Sequence, residues 1–218
     1  MVCRYIAKMK DLLYQYLRRF INLSQEELSF IQQYAELRHF DKKVRLINIG
    51  EQEMYANFVV KGVLKKFFYN NRHEEVITQI AKEGELISSS VSFLSGSKSE
   101  YTIEAFEPVT VISYSRENIE RIYSSNYRME RLGRLVIMDW FLQKEHWEYI
   151  RIKLDPKQRF LFFISNNPDL LLRVPQKSLA SYLNIKPETF SRYKHLLAQK
   201  PMQAQIQKKH SSLSVSPL

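Results

Sequence analysis

The chain has 218 residues, of which 44% are hydrophobic and 26% charged, with a formal net charge of +10. Such a composition excludes wholesale disorder and allows one large domain or two modest ones. The single cysteine, Cys3, excludes an internal disulfide and an iron–sulfur cluster, which needs about four thiolates.

The charge is unevenly placed. Residues 1–150 carry 21 Lys and Arg against 20 Asp and Glu, whereas residues 151–218 carry 12 against 3. A near-neutral front and a basic back point to two roles, with nucleic acid or an anionic membrane surface as the partner of the back. No run of about 18 apolar residues occurs. Arg4, Lys8, Lys10 and Asp11 interrupt the N-terminus, so neither a transmembrane helix nor a signal peptide is expected, and a cytoplasmic location is. His39, His73, His146, His195 and His210 are scattered without metal-ligand spacing, and no metal site is expected.

Ile6, Met9, Leu12, Leu13, Tyr16, Leu17 and Phe20 recur at helical spacing and predict a helix over Tyr5 to Ile21. Ser24 followed three places on by Glu27 is a capping box, and it opens a second helix to about Ala35. From Arg38 to Ser113 the texture changes to short β-rich runs, Phe58 to Val60, Val63 to Tyr69, Val76 to Ile80 and Val109 to Tyr114. Turn signals at Asn48 to Gly50, Lys61-Gly62, Asn70-Asn71, Glu83 to Glu85 and Ser95-Gly96 separate them. The expected result is a small antiparallel β-barrel or jelly roll.

After Ser115 the period is helical again, with a break at Ser124 to Asn126. A helix of some 25 residues then places Met129, Leu132, Val136, Trp140 and Trp147 on a broad apolar face, which is expected to dimerise. Asp155-Pro156 ends it. The chain is therefore expected to be α+β: N-terminal helices and barrel over 1–115, connecting and dimerisation helices over 116–154, a helical domain over 155–200 and a mobile tail over 201–218.

Val174 to Leu197 reads VPQKSLASYLNIKPETFSRYKHLL. Leu179, Ala180 and Leu183 form the inner face of one helix, Asn184-Ile185 turns, and Phe190, Tyr193 and Leu197 face inward from the next. Pro187 suits the first position of that second helix. This is the pattern of a helix-turn-helix. Glu188, Thr189, Ser191, Arg192 and Lys194 are then candidate base readers, while Gln176, Lys177, Ser178 and Lys186 flank the first helix start as candidate phosphate contacts. Each of these residues taken singly has an ordinary structural explanation, such as a solvated surface lysine or a glutamate at a helix N-terminus. Together with the local charge they favour double-stranded DNA as the partner.

The order of helices, barrel, long helix and helix-turn-helix resembles the CRP/FNR family of bacterial regulators over about residues 10–198, and KPETFSR is similar to the start of that family's recognition helix. Gly50, Gly62 and Gly84 fall where the family's barrel turns. The resemblance implies a transcription regulator with a cyclic-nucleotide-binding-like barrel, acting as a homodimer on a palindromic site, with RNA polymerase as a further partner. The sequence departs from the family's cyclic-nucleotide pattern, however. Aligned without gaps, Ser88-Ser89 and Ser99-Glu100-Tyr101 replace the Gly-Glu and Arg-Ser-Ala or Arg-Thr-Ala positions, so cyclic AMP is not expected to bind. Ser88, Ser89, Ser90, Ser99, Glu100 and Tyr101 stand as candidate lining of a pocket for another polar effector, or as a loop with good turn chemistry.

Two other readings stay open: a ligand-binding or protein-interaction module without DNA binding, and a haem- or gas-sensing regulator with His39, His73 or His146 as axial ligand. No nucleophile with a plausible base, Gly-rich phosphate loop or suitably spaced carboxylate pair is evident, and neither an enzyme nor a resident cofactor is expected.

Overall fold

A computed structural model describes residues 11–198. The chain divides into two compact units, one ending at Glu148 and the other beginning at Tyr149. The expected tail over 201–218 lies outside the described residues.

In the first unit, α1 (described over 11–18) stops earlier than its apolar repeat predicts, and residues 19–21 turn. Next comes α2 (Gln25–Gln33), whose start carries the expected capping box: Ser24 Oγ accepts from Glu27 N–H and the Glu27 carboxylate accepts from Ser24 N–H. The barrel consists of β1 (Glu36–Phe40), β2 (Arg45–Ile47), β3 (Tyr55–Lys61), β4 (Leu64–Tyr69), β5 (Glu75–Ala81), β6 (Leu86–Ile87), a short helix α3 (Ser90–Ser95), β7 (Thr102–Ala105) and β8 (Val109–Ser115). The strands form two antiparallel four-stranded sheets, ordered β1-β8-β3-β6 and β2-β7-β4-β5.

Side chains alternate across a strand. Val59 of β3 and Val111 of β8 therefore point between the sheets, where they pack with Leu64, Ile87 and Ile103. Phe58, Val60 and Ile112 point the other way, into a second core with Leu13, Tyr16, Leu17, Leu28 and Ile31 of the N-terminal helices. Both faces of β3 are thus covered, which explains the unbroken apolar run Phe58-Val59-Val60.

That second core also takes in α4 (Arg116–Ser125) and the start of α5 (Tyr127–Lys153), and here one expectation is corrected. Met129 and Leu132, assigned from sequence to an intermolecular face, are 1% and 4% exposed within the chain's own core, and Val136 packs against them. Trp140 and Trp147 are half-buried. The exposed apolar side chains of this helix in the first unit are instead Ile137, Met138, Phe141 and Leu142, together with Tyr127. The sequence period located the helix but not the side facing its own barrel.

The second unit contains α6 (Pro156–Asn166), α7 (Leu170–Arg173), α8 (Gln176–Tyr182) and α9 (Pro187–Ala198). Asp155 caps α6 in a capping box with Gln158, with Pro156 in the first turn, as its fixed φ favours. Phe160, Phe163, Ile164, Leu170, Val174, Leu179, Leu183 and Phe190 form the core. The Phe160 and Phe190 rings meet edge to face at 5.1 Å.

Gly62 joins β3 to β4 with φ +93°, and a Cβ there would lie 2.7 Å from the Pro108 carbonyl oxygen. Both the backbone region and the space require glycine. We expect Gly62→Ala to cost about 2–4 kcal/mol, read as a lower urea midpoint with unchanged slope; an unchanged midpoint would show that the turn relaxes freely.

Candidate functional site

In the second unit, α8 starts after Pro175, and its inner face, Leu179 and Ala180, is fully buried. The turn that follows is a Schellman motif: Ile185 N–H donates to the Ala180 carbonyl and Asn184 N–H to that of Ser181, both at 3.0 Å. Asn184 takes the left-handed conformation this motif needs, with φ +51°. Asparagine tolerates that region better than most residues, so Asn184-Ile185 reads as a turn from sequence.

A residue that sequence reasoning passed over holds the turn in place. Arg159 of α6 is 6% exposed, and its guanidinium donates to the carbonyls of Leu183 (2.7 Å), Asn184 (3.3 Å), Arg151 (2.7 Å) and Leu154 (3.0 Å). Its planar fork of donors ties the end of α5 to the end of α8. Burial lowers its pKa from the usual arginine value.

Pro187 is the first residue of α9, and Phe190 is its buried anchor. Of the predicted residues, Gln176, Lys177, Lys186, Glu188, Arg192 and Lys194 are exposed, and Ser178, Thr189 and Ser191 are half-buried. Tyr193 is half-buried too, with its ring 5.6 Å from the Arg192 guanidinium and 5.6 Å from Phe160. His195 is also exposed and joins Glu188 and Arg192 at the i, i+4, i+7 positions of one helical stripe. That spacing was present in the sequence, but only the first turns of the helix were considered. Nothing is described of the Leu197 side chain.

The barrel holds a second polar group. Ser88, Ser89 and Ser99 are buried. Ser99 Oγ lies 2.8 Å from both Ser89 Oγ and the Tyr101 carbonyl, and accepts from Tyr101 N–H. Glu53, 5% exposed, braces the same loop by accepting from the N–H groups of Ser89 (3.2 Å) and Tyr55 (3.1 Å). Burial raises its pKa above the ordinary carboxylate value, against these hydrogen bonds. Glu100, a candidate lining residue from sequence, is exposed.

Positive charge comes instead from two lysines missed in the sequence. Lys66 of β4, 4% exposed, donates to the Ser88 carbonyl at 3.2 Å and lies 5.3 Å from the centre of the Tyr101 ring. Lys144 of α5 donates to Ser90 Oγ at 2.6 Å and sits over the Trp140 ring. A lysine in a strand reads as exposed, and a contact between β4 and α5 leaves no local signature. Burial, followed by the nearness of Lys144, brings the Lys66 pKa down to about 7.

The three histidines considered as axial ligands lie in different settings. His39 bonds Thr110 Oγ1 through Nδ1, His73 is exposed on a turn at φ +58°, and His146 is exposed on α5. No group of three His, Cys, Asp or Glu able to hold a metal occurs among the described residues.

Residues 37–126 match the cyclic nucleotide-binding domain family. The barrel is similar to a cyclic nucleotide-binding domain, and the chain has the fold of CRP/FNR-type proteins. Among solved structures with this fold, FixK2 from Bradyrhizobium japonicum superimposes with a TM-score of 0.65 at 17% identity, over 76% of this chain and 85% of that one. CLP from Xanthomonas campestris, a regulator responsive to c-di-GMP, gives 0.61 at 13% identity over 81% and 93%. A Eubacterium rectale protein described as a CRP/FNR-family transcriptional regulator gives 0.61 at 16% over 85% and 88%. At these identities the likeness is one of fold. No curated protein sequence matches significantly. Ser88-Ser89 and Ser99-Glu100-Tyr101 stand where the family's cyclic-nucleotide pattern has Gly-Glu and Arg-Ser-Ala, and Lys66 and Lys144 bond to Ser88 and Ser90 beside them.

Two predictions follow from these contacts. Arg159→Met leaves four carbonyls without their donor and is expected to destabilise the second unit by about 2–4 kcal/mol. Amide exchange should accelerate over 176–190 while the barrel amides stay protected, and uniform acceleration would refute a local role. For Lys66, the unfolded chain stays protonated to near the ordinary lysine value of 10.5 and the fold only to about 7. Between those values the unfolded chain binds more protons, so this contribution to stability rises with pH, and the full burial penalty applies below about pH 7. Relative to Lys66→Met, the native chain should gain about 2 kcal/mol from pH 7 to 9; parallel pH profiles in chemical denaturation would contradict this.

Proposed function

We propose that this protein is a sequence-specific DNA-binding transcription regulator that acts as a homodimer, with α8 and α9 as the helix-turn-helix and α9 in the major groove. The observation that carries this reading is the outer face of α9. Opposite the buried Phe190 anchor, Glu188, Arg192 and His195 are exposed at consecutive turns, and Lys194 is exposed beside them. Arg192 suits a bidentate pair with guanine, and Glu188 suits cytosine N4. Lys177 and Lys186, exposed at the starts of the two helices, suit phosphates. The excess of 12 basic over 3 acidic residues after position 150 supplies the long-range attraction.

Self-association is supported by the exposed stripe Ile137, Met138, Phe141 and Leu142 on α5, a sizeable apolar area to leave in water. With no long apolar helix among the described residues, the reading places the protein in the cytoplasm beside its DNA, with RNA polymerase as a further partner. The effector is not cyclic AMP. Ser99 is engaged by its neighbours, and Lys66 and Lys144 offer a different charge arrangement from the expected arginine.

Fluorescence anisotropy with a selected operator and with random duplex tests the reading. Arg192→Ala should cost about 1–3 kcal/mol and relax preference at one base pair per half-site. Lys177→Ala should weaken both duplexes alike and reduce the salt slope by about one. Equal losses on both duplexes for Arg192→Ala would remove it as a base reader, and no salt-dependent binding at all would favour an interaction module instead. Phe141→Glu with Leu142→Glu should halve the mass in sedimentation; an unchanged mass would place the dimer contact elsewhere.

A further inference from the structure

The first unit has a partly open cavity of about 190 Å³, whose lining includes neither Lys66 nor Lys144. It lies behind the outer face of β3 and β8, bounded by Leu17 of α1, Ala56 and Phe58 of β3, Tyr123 of α4 and Leu132 and Val136 of α5. Its walls are overwhelmingly apolar. Three of the side chains that line it nevertheless carry a buried polar atom with no hydrogen-bond partner among the described residues: the Tyr114 hydroxyl, Ser88 Oγ and Trp140 Nε1. Unpaired buried polar atoms are uncommon in folded proteins, and each costs free energy. Ser88, Tyr114 of β8 and Trp140 of α5 thus bring three such side chains to the cavity lining from different elements, without a partner among the described residues.

The chemistry of those atoms restricts the partner. An indole N–H only donates, and the phenol and serine hydroxyls both donate and accept. A single acceptor atom therefore answers the set best. The charged side chains of the lining, Arg116 and Glu120, are both exposed, so no buried counter-charge is available and a charged ligand would lose its hydration without return. Size sets a further limit: an apolar cavity of roughly 150 Å³ is enough for benzene.

We propose that this cavity is a binding site for a neutral, largely apolar small molecule of about ten non-hydrogen atoms bearing a hydrogen-bond acceptor, such as an aromatic carbonyl compound, held by Tyr114, Trp140 and Ser88. The site shares Ser88 with the barrel's serine cluster, but neither Lys66 nor Lys144 lines it. Its occupant touches both α4 and α5, the helices that lead out of the barrel, so occupancy and the packing of those helices are linked. The proposal does not rest on DNA binding, and it is tested without DNA.

The full chain is titrated with acetophenone and with cumene, its near-isosteric hydrocarbon, by saturation-transfer NMR and thermal melting. Acetophenone should bind saturably below millimolar concentration and raise the melting temperature, with cumene about threefold to tenfold weaker because it leaves the polar atoms unpaired. Tyr114→Phe, which deletes one oxygen, should melt no lower than the native chain and should narrow the gap between the two probes. Ala56→Phe fills the cavity and should abolish both signals, with Val136→Phe as a second filling variant should the first not fold. Failure of both probes to saturate, or native-like binding in a folded filling variant, overturns the site. Equal affinity for the two probes overturns the acceptor requirement.

Discussion

Coverage of β3 and β8 on both faces is the constraint on which the first unit rests. A sheet whose strands are apolar on one side only can leave the other in water, but Phe58, Val60 and Ile112 have no such option. They require a second layer, and α1, α2, α4 and the start of α5 provide it. Burying each large apolar side chain contributes about 1.5–3 kcal/mol, so this outer layer is as much a core as the interior between the sheets. It also explains why the N-terminal helices and α5, far apart in sequence, are parts of one body. Arg128 of α5 pairs with Glu27 of α2 at 2.7 Å, a contact across 101 positions at the rim of that layer. The cavity sits inside this second layer, lined by the outer face of β3 and β8 and by the helices that cover it.

Local chemistry was legible. Ser24 with Glu27, Asp155-Pro156, the positive-φ Gly62 and Pro187 each fix a chain direction through bonds within a few residues, and each was read correctly from its neighbours. Strands β3, β4, β5 and β8 were visible because they are long and apolar. β1, with the sequence ELRHF, and the four-residue β7 were not, since β1 pairs only with β8 and β7 is too short to show a period. Buried charge was the main blind spot. Lys65 escapes water only because Glu75 and Glu104 flank it across the sheet, Lys66 because a carbonyl and an aromatic ring receive it, and Arg159 because four carbonyls converge on it. Those partners come from distant positions, and no window of sequence contains them.

The same reasoning separates the two polar groups of the first unit. In the serine cluster Ser89, Ser99 and Glu53 have found neighbours, and Lys66 settles its charge by lowering its pKa toward neutrality. The cavity behind β3 and β8 has done the reverse, retaining polar atoms that its own walls leave unsatisfied. One site is internally closed and the other is chemically open.

Arg159 bears on how α9 is held. Because one guanidinium grips both the last turn of α5 and the turn after α8, residues 151 and 154 and residues 183 and 184 move together or not at all. Phe160, the next residue along α6, seats α9 through Phe190. The second unit therefore behaves as a stiff crank rather than a ball joint: a rotation imposed on the final turn of α5 reaches the exposed stripe of Glu188, Arg192 and His195 with little lost to bending on the way.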